Sequence, residues 1–190
     1  MNPQCVFLDR DGTINEDWGY THESQELHLI EGAAEAIRTL NEHSIPVSVI
    51  TNQSGVARGL FSESQVGVFH EALNNRLLQY GAHIDHFYYC PHHPDFKKDG
   101  ENCDCRKPLP GMLHRAAQEQ NLDLTKCVVV GDTARDIGAA HAAGSSSVLV
   151  LTGKGSEERS TWKEDFQPTH VTPNLPEAVA WILRDMIPNS

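Results

Sequence analysis

The chain has 190 residues, 39% of them hydrophobic and 22% charged, an ordinary globular balance. At roughly 150 residues per domain, that length fits one domain, or one domain with insertions. Its 15 basic and 26 acidic side chains leave a net charge of −11. That argues against a nucleic-acid partner, which needs a basic face, and against a polybasic membrane anchor.

Apolar runs alternate with helical periods along the chain. Cys5-Val6-Phe7-Leu8 reads as a buried strand, and Ala33, Ala36, Ile37 and Leu40 form a helical stripe behind it. Pro46 to Ile50 is the next strand. Ser62 and Gln65 form a capping box, and Val66, Phe69, Leu73, Leu77 and Tyr80 share one helical face, with Gly81 at the stop. His86 to Tyr89 is a third strand. A polar loop from Cys90 to Pro110 precedes a helix over about Gly111 to Gln120. Cys127 to Val130 is a strand, Ala134 to Ala143 a helix closed by Gly144, and Ser147 to Leu151 a strand. A last helix starts near Pro176 and carries Val179, Ile182, Leu183 and Met186. Continuous apolar strands between helices predict an open α/β sandwich with a parallel sheet covered on both faces. His70, His114 and His141 fall on helices and read as packed or solvent-facing.

No run approaches the ~20 apolar residues of a membrane span. The opening Met1 to Cys5 lacks the basic and apolar regions of a secretory signal, so the cytoplasm is the expected compartment. Five cysteines, an odd count, do not make a secreted disulfide framework. Cys5 and Cys127 lie in strands and read as buried.

Ligands of such sheets sit at the carboxyl ends of the strands. Asp9-Arg10-Asp11-Gly12-Thr13 follows the first strand, Thr51-Asn52-Gln53-Ser54-Gly55 the second, and Gly131-Asp132-Thr133-Ala134-Arg135-Asp136 the fourth. Arg106-Lys107-Pro108 stands at the end of the long loop. Each piece alone is readable as turn or cap chemistry. Together they bring carboxylates, a hydroxyl and a lysine to one rim. Carboxylates so close repel unless a hard cation lies between them, and Mg²⁺ with a phosphoryl group fits that set.

These stretches, from Phe7-Leu8-Asp9-Arg10-Asp11-Gly12-Thr13 through Thr51 and Lys107 to Gly131-Asp132 with Asp136, resemble the four motifs of the haloacid dehalogenase superfamily of phosphatases. The match spans nearly the whole chain. The resemblance implies a Rossmann-like three-layer sandwich with a central parallel sheet, one domain over residues 1–190. It implies Asp9 as nucleophile, forming an aspartyl phosphate, and Asp11 as general acid and then base. Thr51 and Lys107 would hold phosphoryl oxygens. Asp9, the main-chain carbonyl of Asp11, and Asp132 would bind Mg²⁺, with Asp136 supporting that shell. A carboxylate nucleophile splits hydrolysis into two easier steps, and the cation makes it tolerable beside an anionic phosphate. Larger members carry a mobile cap. Here the spacing from Asp11 to Thr51 leaves little room for one, so no large cap domain is expected and three loops close over the substrate.

Cys90-Pro91-His92-His93 and Cys103-Asp104-Cys105 bracket the polar loop. Three cysteines and a histidine, His92 or His93, can make a tetrahedral Zn²⁺ site with no open position, hence a structural zinc. It would order a loop, about 90–108, that has little apolar material of its own, and fix Arg106 and Lys107 beside it. This loop, with Asp17-Trp18-Gly19-Tyr20 and Thr51-Asn52-Gln53-Ser54-Gly55-Val56-Ala57-Arg58-Gly59, resembles the D-glycero-D-manno-heptose-1,7-bisphosphate 7-phosphatases. That resemblance implies removal of the C7 phosphate in making nucleotide-activated heptose for lipopolysaccharide or surface glycans. Asp17, Trp18, Gly19, Tyr20, Thr51, Asn52, Gln53 and Ser54 carry over as substrate binders, with Arg106 and Lys107 adding recognition.

The histidinol-phosphate phosphatases are the alternative, with a similar loop but shorter Cys/His spacing. A phospho-accepting signalling domain and a zinc-organised binding module are the non-hydrolytic rivals. A bisphosphate needs a second anion site, and Arg58 and Arg106 are candidates for it, Arg58 being equally readable as a solvated loop charge. Arg10 and Arg135 flank motif aspartates and are expected to pair with carboxylates. Several members carry lysine directly after the last motif aspartate, where this chain has Thr133. Either anomer at C1 fits, and a monomer is expected.

Overall fold

The computed structural model describes residues 3–96 and 103–186. Its strands are β1 (Cys5–Leu8), β2 (Val47–Asn52), β3 (His86–Cys90), β4 (Cys127–Gly131), β5 (Ser146–Val150) and β6 (His170–Thr172). They form one sheet in the order β3-β2-β1-β4-β5-β6, every neighbouring pair parallel. The helices are α1 (Ala33–Glu42), α2 (Glu63–Leu78), α3 (Gly111–Gln120), α4 (Ala134–Ala143), α5 (Gly155–Ser160) and α6 (Leu175–Trp181).

Alternation along β1 divides the core into two layers. Successive side chains of a strand point to opposite faces. Val6 and Leu8 pack with Ile37 and Leu40 of α1, Phe69 and Leu73 of α2, and Val179 of α6. Cys5 and Phe7 pack on the other face with Met112 and Leu113 of α3 and Ala139 of α4. This is the expected three-layer, Rossmann-like α/β sandwich, and the buried Cys5 and Cys127 are free thiols in it.

Local chemistry sets the helix ends. Ser62 accepts from the Gln65 amide and the Gln65 side chain returns to Ser62, the reciprocal box that opens α2. Gly144 closes α4 in the left-handed conformation. The α2 stripe is buried from Val66 to Leu77, but Tyr80 lies beyond the helix and is exposed. His70 is buried and stacked on Phe87.

The structure adds two elements not expected from sequence. α5, Gly-Ser-Glu-Glu-Arg-Ser, has no apolar stripe, and β6 has three residues. β6 extends the sheet beyond β5, whose bounds fall one residue before those expected.

Strand order reverses between β1 and β4, so a crevice opens at their carboxyl ends. Residues 9–32, between β1 and α1, hold one short turn, Ser24–Glu26. Among the described residues no cap domain covers that crevice. None of their helices is long and apolar enough to cross a membrane.

Candidate active site

Asp9 follows β1 directly, Asp132 follows β4, and Asp136 lies in the first turn of α4. All three are buried, with carboxylate oxygens within 4.8 Å of one another. Lys107 reaches in from the end of the Cys/His loop. Its Nζ lies 2.8 Å from Asp9 Oδ1, donates to the Ile50 carbonyl at 2.8 Å and pairs with Asp136. Its backbone is held by Asn52, which accepts from the Lys107 amide and donates to its carbonyl, each at 3.1 Å. Burial alone would lower the Lys107 ammonium, but Asp136 and Asp9 hold it above its ordinary range.

Burial and the charge of Asp136 push Asp9 up to about 7, with Lys107 opposing. Burial, Asp9 and Asp136 push Asp132 up to about 8. Asp132 Oδ2 accepts from the Lys154 amide at 2.8 Å, whereas the buried Oδ1 has no hydrogen-bond partner. An orphaned carboxylate oxygen among oxygen donors, in a site that raises its own acids, suits a hard divalent cation. Asp136 Oδ2 takes the Thr133 amide and hydroxyl at 3.0 and 2.7 Å, so this carboxylate also caps α4.

The Asp11 side chain stands apart from that trio. Arg10 holds it in a fork at 3.0 and 2.8 Å, as expected for an arginine beside a motif aspartate. Asn15 Nδ2 donates to it at 2.9 Å and Gln53 Nε2 at 3.1 Å. Gln53 also donates to Thr51 Oγ1 at 2.9 Å, so one amide orients two expected catalytic groups. Arg10 is anchored in turn on the Thr21 carbonyl and the Phe69 ring.

Asp9, Asp11, Thr51, Lys107 and Asp132 face one open cavity of about 270 Å³. Asp17, Gly19, Tyr20, Asn52, Gln53, Ser54 and Arg106 line it too. Trp18 and Arg58 do not. Trp18 is 64% exposed with its ring edge-on to His28. Arg58 turns behind Tyr20 to His93 and Phe96. In place of these, Thr133, Arg135 and Lys154 line the cavity. Lys154 Nζ pairs with Asp17 at 2.7 Å and, against the push of burial, holds that carboxyl below its usual range. The expected carboxylate for Arg135 is not found among the described residues. Lys154 could have been anticipated, because Thr152-Gly153-Lys154 stands at the carboxyl end of β5, where the strand-end rule applies equally.

The second cluster is Cys90, His92, Cys103 and Cys105. Cys103 and Cys105 Sγ lie 3.2 Å apart, Cys90 and Cys103 Sγ 3.5 Å, and His92 Nδ1 is 3.4 Å from Cys105 and 3.7 Å from Cys90. No disulfide has such separations. A tetrahedral Zn²⁺ with Zn–S of about 2.3 Å has ligand-to-ligand edges of roughly 3.5–3.8 Å, so the donor set fits that ion. The structure brings His92, not His93, into the cluster. Arg106 Nη1 donates to the His92 carbonyl at 3.2 Å, tying the cluster to the cavity rim. Residues 97–102 of the expected metal loop lie outside the described residues.

Comparison with known proteins adds a lineage to this geometry. Residues 104–178 match the HAD-hyrolase-like family model. A D-glycero-beta-D-manno-heptose-1,7-bisphosphate 7-phosphatase of Yersinia pestis is 46% identical over 153 residues, covering 79% of this chain and 81% of that protein. The Escherichia coli K12 protein of the same name is 39% identical over 96% of this chain and 89% of its own length. Among solved structures, a D,D-heptose 1,7-bisphosphate phosphatase from B. bronchiseptica, complexed with magnesium and phosphate, superposes with a TM-score of 0.86. It is 36% identical, over 95% of this chain and 98% of that one.

Proposed function

The chain belongs to the family of D-glycero-β-D-manno-heptose-1,7-bisphosphate 7-phosphatases, and from that premise we propose that it removes the C7 phosphate of the β-anomer of this bisphosphate. The product would be the heptose 1-phosphate used in making nucleotide-activated heptose for surface glycans. One observation carries the mechanism: the buried Asp9 carboxylate, 2.8 Å from Lys107 Nζ, faces the same cavity as Thr51, Asp11 and Asp132.

Asp9 attacks the C7 phosphorus and Asp11 gives a proton to the departing C7 oxygen. Asp11 then takes a proton from the water that attacks the aspartyl phosphate, which returns Asp9 and releases phosphate. Both steps need the acid-base group on the leaving-oxygen side, and the Arg10 fork and Gln53 would hold the Asp11 carboxyl for that role. Thr51 Oγ1 and Lys107 Nζ hold phosphoryl oxygens. Asp9, Asp132 and the main-chain carbonyl of Asp11 would hold Mg²⁺, which when bound lowers the repulsion between an anionic nucleophile and an anionic ester. Asp136 keeps Lys107 charged and in place.

The retained C1 phosphate belongs to Arg106, with Arg135 beside it. Both guanidiniums line the cavity, and neither has a carboxylate partner among the described residues of a strongly acidic chain. Asp17, Gly19 and Tyr20, with Asn52 and Ser54, would contact the sugar. Zn²⁺ at Cys90, His92, Cys103 and Cys105 is structural in this reading. The chain acts as one domain, a monomer, in the cytoplasm.

The test is phosphate release with Mg²⁺ from both heptose 1,7-bisphosphate anomers and from histidinol phosphate, with Asp9→Asn as control. The expected result is a large kcat/KM preference for the β-anomer, lost in Asp9→Asn. A preference for histidinol phosphate would move the chain to that activity, and equal turnover of both anomers would remove the anomeric assignment.

A further inference from the structure

Arg58 makes contacts that neither phosphate binding nor solvation explains. Its Nη2 lies 3.0 Å from His93 Nε2, and since guanidinium only donates, the ring nitrogen accepts. Its guanidinium carbon sits 4.8 Å from the Phe96 ring centre and 5.8 Å from that of Tyr20. His93 and Phe96 belong to the Cys/His loop, Arg58 to the loop after β2, and Tyr20 to the loop after β1. One side chain therefore touches three of the loops that frame the cavity, those after β1, β2 and β3.

The surrounding contacts run the same way. The Gln53 amide donates to the Cys90 carbonyl at 2.8 Å, and the Ala57 amide to the Pro91 carbonyl at 3.1 Å, strapping the β2 loop to the Cys/His loop. His22 stacks on Phe61 at 4.6 Å, joining the β1 loop to the β2 loop. The weak member is Tyr20. It lines the cavity, is 45% exposed and has a left-handed φ of 59°, which a side chain other than glycine adopts at a cost. What stands behind its ring is Arg58.

We propose that Arg58 is a positioning residue that ties the Cys/His loop to Tyr20 and so holds the Tyr20 ring at the cavity, where the sugar of the substrate assigned above would lie. The kinetic arm of this inference rests on that substrate assignment. Because Arg58 works through Tyr20, the consequence of losing it is the same whether or not the substrate carries a C1 phosphate.

The test compares wild type, Arg58→Ala, Arg58→Lys and Phe96→Ala on heptose 1,7-bisphosphate and on heptose 7-phosphate, with amide hydrogen exchange over residues 17–22. For Arg58→Ala, KM is expected to rise about tenfold for both sugars with kcat within about threefold. Exchange in the β1 loop should quicken. Arg58→Lys, which keeps the charge but not the planar stack, should fall between. Phe96→Ala should shift KM and exchange in the same direction, and it serves if Arg58→Ala does not fold. A KM rise confined to the bisphosphate would overturn the proposal by making Arg58 a ligand of the C1 phosphate. Unchanged exchange in the β1 loop would overturn it directly. If wild type turned over neither sugar, the substrate assignment would fail while exchange still decided the role of Arg58.

Discussion

Gly12 shows how a backbone position can set the place of a carboxylate, that of the proposed Mg²⁺ ligand Asp132. It has φ +83°, and a Cβ built there would overlap Asp132 Oδ2. Asp132 cannot step aside freely, because the Lys154 amide holds that oxygen. Gly59 has a similar φ of +72° with open space around its would-be Cβ. The pair separates conformational cost from steric cost. Gly59→Ala should lose about 1 kcal/mol, the left-handed penalty, and keep its Mg²⁺ affinity. Gly12→Ala should lose about 2–3 kcal/mol and weaken Mg²⁺ binding at least tenfold. Urea unfolding and calorimetric Mg²⁺ titration read the two effects, and equal Mg²⁺ affinity in both variants would sink the steric argument. The motif aspartates and Gly12 were legible in the sequence because they follow a strand in a dense polar string. The direction in which Arg58 turns was not legible, because a loop residue's number carries no information about which way its side chain points.

At the scale of elements, the Cys/His loop is a strut between β3 and Lys107. β3 ends on Cys90, and Cys105 stands two residues before Lys107. Within this stretch, Lys107 is anchored through its own backbone by Asn52 and through Arg106 by the His92 carbonyl. Cys103 and Cys105 also pack against the α3 face of the core, so the cluster is continuous with the sheet layer. If Zn²⁺ joins these four donors, removing it frees both ends of the strut. Cys103→Ser should lower the zinc content, cost about 3 kcal/mol and drop Tm by roughly 6–12 °C, and lower kcat as Lys107 loses its register. Metal analysis by mass spectrometry with scanning calorimetry checks this. A variant without zinc that kept full Tm and kcat would make the loop incidental.

Elements were legible where burial gives a strong pattern. β1 and β4 are continuous buried apolar runs, and α4 ends on its glycine. β6 and α5 escaped because a three-residue edge strand and a short polar helix are held by their neighbours, not by their own periodicity. Missing the loop between β5 and α5 meant missing Lys154 with it.

For the molecule as a whole, the buried acids tie stability to pH and, if Mg²⁺ binds them as proposed, to that cation as well. Asp9 and Asp132 sit at about 7 and about 8, above the ordinary carboxyl value near 4 that the unfolded chain would have. Between those values the folded, cation-free protein binds more protons than the unfolded one. Its stability therefore falls as pH rises through this window, the reverse of a paired carboxylate. A bound cation reverses the preference, since it requires both groups ionised and releases their protons on binding. The stabilisation by Mg²⁺ should thus be small near about pH 5.5 and grow steadily towards about pH 8.5.

The buried His70 behaves differently. His70, lowered to about 3 by burial and by Arg10, stays neutral across the whole window. Its contribution is lost as pH falls below the ordinary histidine value, with or without cation, so it cancels in the difference. The measurement is Tm with and without Mg²⁺ across that range, for wild type and Asp132→Asn. Wild type should show a widening gap and the variant a small, flat one. A constant gap would mean that Asp9 and Asp132 are already ionised without the cation, and no gap at any pH would mean that the orphaned Asp132 oxygen is satisfied by something other than Mg²⁺.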